Sequence, residues 1–115
     1  MKLAIVGSRD YHNYSFFRSQ VESFLEGRTP TLIISGGASG ADEMAERYAI
    51  EMKVELQVFE ADWAKYGKGA GPKRNMQIVE AATHVIAFPT TKSIGTFDTI
   101  RKAQKAGKPI HVVHV

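Results

Sequence analysis

Residues 31–52 read Thr31-Leu32-Ile33-Ile34-Ser35-Gly36-Gly37-Ala38-Ser39-Gly40-Ala41-Asp42-Glu43-Met44-Ala45-Glu46-Arg47-Tyr48-Ala49-Ile50-Glu51-Met52. The first five residues are a short, mostly apolar run, as in a strand covered on both faces. From Ala41 onward, Ala41, Met44, Ala45, Tyr48, Ala49 and Met52 recur at spacings of three and four, which is one face of an amphipathic helix. Between the two, nothing from Ser35 to Gly40 is larger than serine. A strand, a small-residue turn and a helix make half of a parallel crossover unit.

The same alternation extends in both directions. Lys2 to Val6 reads as a strand ending at Gly7, and Ser15 to about Glu26 as a helix with Phe17, Val21, Phe24 and Leu25 on one face and Gly27 as its stop. Downstream, Val54 to Phe59 is a third strand, and Glu60 to Gly71 a long loop holding Trp63, Tyr66 and three glycines. Pro72 suits the first position of a helix running to about Ala82. His84 to Phe88 is a fourth strand, Thr96 to Lys105 a helix, and Ile110 to Val115 the last strand. The expectation is a single domain over residues 1–115: a Rossmann-like three-layer α/β sandwich on a five-stranded parallel sheet of order 3-2-1-4-5. Such sheets bind ligands outside the carboxyl ends of the strands, at the switch point between the first and fourth strands.

Composition narrows the classes. The chain has 115 residues, room for one domain, with 43% hydrophobic and 23% charged residues, as in a soluble globular protein. It has no cysteine, which excludes disulfides and thiolate metal sites. The apolar run from Met1 to Gly7 is too short for a signal peptide or a membrane span, so a cytoplasmic protein with no membrane partner is expected. The net charge is +3, and the densest basic patch is Lys65, Lys68, Lys73 and Arg74. That patch suits nucleic acid or a small phosphate as well as an ordinary solvated surface.

Four segments follow the strands. Gly7-Ser8-Arg9 offers a tight turn, a hydroxyl and a guanidinium able to grip a phosphate with two bonds. Ser35, Gly36, Gly37, Ala38 and Gly40 form a turn into a helix N-terminus, where backbone N–H groups and the helix dipole favour an anion. It is neither the dinucleotide fingerprint nor a P-loop. Asp42 has capping-box spacing from Ser39, which by itself accounts for both residues; if Asp42 meets a ligand, ribose hydroxyls are its expected partner. In the third segment Lys68, Arg74 and Asn75 stand out: an arginine opposes the dipole in a first helical turn, so it has no helical reason to be there, and Asn75 shares an inward face with Val79. Trp63 and Tyr66 can stack on a base or simply anchor the loop. Pro89 to Asp98, with Gly95 and Thr96, is a second small polar entry into a helix, where Thr96 also suits an N-cap. The histidines lack metal-ligand spacing; Asp10, Asp42, Asp62 and Asp98 could gather around Mg²⁺, but no metal or cofactor is assigned.

Taken in order, Gly7-Ser8-Arg9, Ser35-Gly36-Gly37-Ala38, Gly40-Ala41-Asp42, Ala61-Asp62-Trp63, Gly67-Lys68, Ala70-Gly71-Pro72, Arg74-Asn75, Ala87-Phe88-Pro89 and Gly95-Thr96 resemble the SLOG superfamily, and within it the small YspA/YpsA-related proteins. The resemblance spans nearly the whole chain. It implies a Rossmann-like fold that binds a nucleotide or nucleotide-derived ligand, a nucleoside monophosphate or an ADP-ribose-like molecule. Similar proteins include cytokinin-activating phosphoribohydrolases and the DNA-processing protein A family, so nucleoside monophosphate hydrolysis and DNA binding are the alternatives. The phosphoribohydrolases carry an arginine matched by Arg74 and a Pro-Gly-Gly-x-Gly-Thr-x-x-Glu motif, of which Gly95-Thr96 remain here while Thr99 stands at the glutamate position with Asp98 before it. A hydrolase reading therefore rests on Arg74 and Asp98 as the catalytic pair. Relatives often pair through helices, and an exposed Phe16 would suit a homo-oligomer.

Overall fold

The computed structural model describes residues 1–115. Strand β1 (Lys2–Gly7), helix α1 (Tyr14–Leu25), β2 (Leu32–Ser35), α2 (Ala41–Glu51), β3 (Glu55–Val58), α3 (Trp63–Tyr66), α4 (Ala70–Ala81), β4 (His84–Phe88), α5 (Ile94–Lys105) and β5 (Ile110–Val112) follow one another along the chain. The sheet is parallel throughout, in the order β3-β2-β1-β4-β5. Ala4 sits between Ile34 and Val85, so β1 is the central strand.

Successive side chains of a strand point to opposite faces, and the apolar runs fill both. Leu3, Ile5, Ile33, Ile86 and Phe88 meet Phe17, Val21 and Leu25 of α1 and Met44, Ala45, Tyr48 and Ala49 of α2. Ala4, Val6, Ile34, Val85 and Ala87 meet Ile78 and Val79 of α4 and Ile100 and Ala103 of α5. The chain thus crosses from one face to the other between α2 and α4, and the crevice between β1 and β4 is left open at the carboxyl end of the sheet.

Four expectations need correction. The segment from Glu60 to Gly71 is not an extended loop: Asp62 caps the short α3 by accepting from the Lys65 N–H at 3.1 Å, and a 3-10 turn over Gly67–Gly69 leads directly into α4. The glycines hid this, because Gly71 is placed by packing: the Trp63 ring lies 3.2 Å from where its Cβ would stand. Pro72 is accordingly the third residue of α4, not the first; its missing N–H falls in the first turn, where no intrahelical acceptor exists. Thr96 is not an N-cap, since α5 begins at Ile94 after Ser93. The last strand stops at Val112, although Val113 and Val115 still donate to Ala87 and Pro89. Phe16 is 41% exposed, as expected. No helix is long and apolar enough to cross a membrane.

Candidate functional site

A cleft of about 600 Å³ opens at the switch point. Its floor is the end of β1, Val6, Gly7 and Ser8, with Ile78 beside it. One wall is the turn before α2, with Gly36, Ala38 and Asp42; the opposite wall is the entry to α5, from Thr90 to Thr96 with Asp98. Arg74 and Asn75 of α4 close the third side, with Trp63 and Lys68 at the rim. Arg9, Lys68, Arg74, Lys92 and Arg101 face the space against Asp10, Asp42 and Asp98, so the cleft is cationic on balance.

The floor is held by two close approaches. A Cβ on Gly7 would lie 2.7 Å from the Ala41 Cβ and 2.8 Å from the Phe88 carbonyl, so β1 meets α2 and β4 only through a glycine. Gly40 has φ +71, and a Cβ there would lie 2.3 Å from the Ser8 carbonyl oxygen. Through that contact the first N–H of α2, from Ala41, donates to the Ser8 carbonyl at 3.0 Å. Buried Ser8 also accepts from the Asp10 N–H through its hydroxyl, at 3.2 Å.

The α2 entry folds onto its own side chains, although the Asp42 and Glu43 N–H groups of its first turn have no partner in the protein. Asp42 is buried, and its Oδ2 accepts from the Ala38 N–H at 3.1 Å. Ser35, wholly buried, accepts from the Gly37 N–H and donates to the Asp42 carbonyl, both at 3.3 Å. No capping box forms: Ser39 donates instead to the Arg9 carbonyl at 3.4 Å. Burial pushes the Asp42 carboxyl up to about 6, against the pull of the Ala38 and Gly36 N–H groups and the Arg74 charge and with a push from Glu46.

The α5 entry is not closed in this way. The Ser93 hydroxyl turns back to accept from the Thr90 N–H at 2.9 Å, and the N–H groups of Gly95 and Thr96 have no partner in the protein. Asp98 does not cap that end. It is held by Lys102, by the Asn75 Nδ2 at 3.0 Å and more loosely by Arg101 at 3.8 Å. Burial alone would raise its pKa, but hydrogen bonds from Lys102 and Asn75 and the charges of Lys102 and Arg101 outweigh this and hold it below the ordinary carboxylate value.

Arg74 links the walls. Its Nη1 donates to the Gly36 carbonyl at 2.6 Å and its Nε to the Asn75 Oδ1 at 3.0 Å, while Asn75 itself donates to the Gly95 carbonyl at 3.2 Å. A Cβ on Gly36 would stand 2.8 Å from the Arg74 Nη1 and 2.9 Å from the Asp42 Oδ2, so the guanidinium and the carboxylate face each other across a residue that must lack a side chain. No carboxylate oxygen comes within 4.0 Å of Arg74, and its Nη2 has no protein partner. Burial lowers its pKa, opposed by Asp42 and reinforced by Arg9.

Of the residues singled out from the sequence, Gly7, Ser8, Arg9, Gly36, Ala38, Asp42, Lys68, Arg74, Asn75, Gly95, Thr96 and Asp98 line the cleft. Gly37 lines a smaller neighbouring cavity, and Ser35, Gly40 and Pro89 lie behind the walls. The four aspartates do not gather: no three carboxylate or imidazole groups approach closely enough to hold a metal ion. Sequence reasoning missed Lys92, Ile94 and Arg101 as lining residues. Arg101 was recoverable, since it follows Asp98 by three residues on the same helix. Lys92 was not, because a loop residue carries no periodicity, and Ile94 was not, because it opens α5 ahead of where the helical period becomes readable.

A parallel three-layer domain with a cationic cleft at its topological switch point defines the class: a Rossmann-like domain. The chain belongs to the YspA, cpYpsA-related SLOG family, whose profile matches residues 1–66. It is 42% identical over 117 aligned positions to the Gene 61 protein of Mycobacterium phage D29, across 95% of this chain and 93% of that protein. Among solved structures it is similar to DNA processing protein A from Streptococcus pneumoniae, with TM-score 0.75 and 22% identity over 96% of this chain and 49% of that one. It is also similar to DNA processing protein A from Helicobacter pylori, solved for its single-stranded DNA binding mode, with TM-score 0.71 and 23% identity over 97% of this chain and 64% of that one. The chain therefore spans about half to two thirds of those proteins, and the likeness is one of fold.

Proposed function

We propose that the cleft binds a nucleotide or nucleotide-derived ligand, a nucleoside monophosphate or an ADP-ribose-like molecule, with a phosphate between Arg74 and the N-terminal end of α5. The observation that carries this is Arg74, a partly buried guanidinium that makes no ion pair within 4.0 Å, faces Asp42 only across Gly36 and keeps one nitrogen unspent in a cationic cleft. A partly desolvated cation whose hydrogen bonds are only to neutral groups gains from an anion that completes it. The unpartnered Gly95 and Thr96 N–H groups supply a second set of donors, and a helix N-terminus favours negative charge. Ile94 and the half-exposed Trp63 offer apolar surface for a base. Family membership supports the nucleotide class. The Helicobacter protein's single-stranded DNA supports a strand as the alternative ligand, laid along Lys65, Lys68 and Lys73 beside Trp63 and Tyr66.

The test is thermal denaturation of the full chain with mononucleotides, ADP-ribose and a short single strand, on the native protein and on Arg74→Lys. A ligand at one hundred times its Kd adds about 2.7 kcal/mol of stability. The expected result is stabilisation by a mononucleotide or ADP-ribose, diminished in Arg74→Lys, which keeps the charge and loses the planar fork. Stabilisation by the strand alone, falling steeply with salt, would replace the small ligand by DNA.

One observation favours chemistry at the same site: burial and neighbouring cations drive Asp42 and Asp98, on opposite walls, apart in pKa. Such pairs mark acid and base assignments. In this second reading Asp98 stays ionised and steadies a cation at the sugar carbon as the N-glycosidic bond breaks and water adds, with Arg74 holding the phosphate. Free base released from a bound nucleotide and lost in Asp98→Asn, with binding kept, supports it; binding with no base released eliminates it.

A further inference from the structure

A second cavity, of about 280 Å³, lies on the far side of Arg74. It shares Arg9, Gly36, Ala38, Trp63 and Arg74 with the main cleft, so the two are unequal lobes of one depression with the Arg74 guanidinium at the waist. The waist is built for an anion. Arg74 and Arg9 outnumber its one carboxylate, Asp42, which comes no closer than 4.0 Å to either, and Gly36 keeps side-chain bulk out of it.

The small lobe has different chemistry. Its carboxylate, Glu60, makes no ion pair and no hydrogen bond, although it faces the same space as both arginines. The turn opposite positions it: Gly37 has φ +73, and a Cβ there would lie 3.0 Å from the Glu60 Cγ. The Ser39 hydroxyl and the half-exposed Trp63 ring complete the lobe. A free carboxylate repels a phosphate and accepts from hydroxyls, and an acidic side chain holding a ribose diol is a recurrent arrangement in this class of fold.

We propose that the ligand has two sugar-bearing parts joined by phosphate: a nucleoside in the large lobe, a diphosphate running from the N-terminal end of α5 to Arg74 and Arg9, and a second, hydroxyl-rich sugar in the small lobe held by Glu60. This rests on the nucleotide reading above and names the part of the ligand that reading leaves open. Glu60 is a specificity-determining residue in this assignment, with no part in holding the nucleoside.

Titration calorimetry of the full chain with ADP, ADP-ribose and the dinucleotide pdApdA, on the native protein and Glu60→Gln, tests it. Glu60 is exposed and glutamine is isosteric, so the fold is not at stake. The expected result is ADP-ribose binding at least roughly tenfold tighter than ADP, the value of a hydrogen bond to a charged group. Glu60→Gln removes that advantage and leaves ADP within about twofold. Equal affinities for ADP and ADP-ribose, or an equal loss of both in Glu60→Gln, overturn the two-lobed ligand and leave the nucleotide reading standing. Tighter binding of pdApdA, indifferent to Glu60, overturns it by giving the small lobe to the next nucleotide of a strand. No binding of any of the three overturns both.

Discussion

The two walls of the cleft begin from similar sequence: a run of small residues after a strand, then a helix with an aspartate near its start. They end in opposite electrostatic states. At the α2 wall the turn folds onto its own carboxylate, so buried Asp42 accepts from the Ala38 N–H and sets an acid where a ligand's phosphate would approach the helix end. At the α5 wall the aspartate is drawn off by Lys102 and Asn75, and the helix end is left open. A small-residue entry to a helix is therefore only an opportunity for anion binding. Whether it is available depends on where the nearby acid goes, and a cation one turn further along α5 decides that here.

The sharpest way to break the comparison is through the backbone that fixes the α2 wall. Gly40→Ala must fit a Cβ 2.3 Å from the Ser8 carbonyl oxygen at φ +71, ψ −123. Overpacking against backbone and a disfavoured dihedral each cost about 1–3 kcal/mol, so a loss of about 3–5 kcal/mol is expected, readable as a melting temperature lowered by more than about 10 °C. A small loss would mean that the Ser8–Ala41 contact yields and that the α2 wall is as adaptable as the other.

The next effect is electrostatic. The Asp42 pKa is raised to about 6 in the folded state from 3.8, so the folded protein binds more protons than the unfolded chain between those values. The stability from protonated Asp42 is then fully present below about pH 4 and is lost as pH rises through 6, a cost of up to about 3 kcal/mol at neutral pH. Asp42→Asn removes this slope. Urea unfolding from pH 4 to 8 should show the variant gaining on the native protein as pH rises; a difference that stays constant, or runs the other way, would mean Asp42 ionises in the wall without strain. Asp98 carries the opposite sign: its lowered pKa stabilises the fold above the ordinary carboxylate range and is lost as acid protonates it.

Element order, strand order and the switch-point cleft were legible because buried parallel strands and amphipathic helices leave their period in the sequence: Leu3 to Val6 and Ala41 to Ala49 were sufficient. Arg74 was legible by contradiction, a cation at the wrong end of a dipole. Trp63 to Gly69 was not, because its short helix is held by the Asp62 cap and by the packing of Trp63 on Gly71, and neither has a period. The capture of Asp98 by Asn75 joins residues on different helices, so no spacing announces it. The same holds for the turning of Asp42 back onto Ala38, which runs opposite to the Ser39 capping box that the spacing suggests.

The smallest change asks the most of the open wall. Gly95 is the second residue of α5, a Cβ there meets nothing within 4 Å, and its carbonyl serves Asn75 and Thr99 while its N–H is free. Gly95→Ala should leave stability unchanged or raise it by less than about 1 kcal/mol, since alanine is the better helix former. Yet the added methyl enters the space where a phosphate would approach the backbone, so nucleotide affinity should fall by roughly tenfold or more while the melting temperature holds. The two readouts separate the walls: Gly40→Ala harms the fold before any ligand is added, whereas Gly95→Ala harms only binding. Were Gly95→Ala to bind as well as the native protein, the phosphate would not lie against α5, and Arg74 with Arg9 would have to hold it alone from the waist of the cleft.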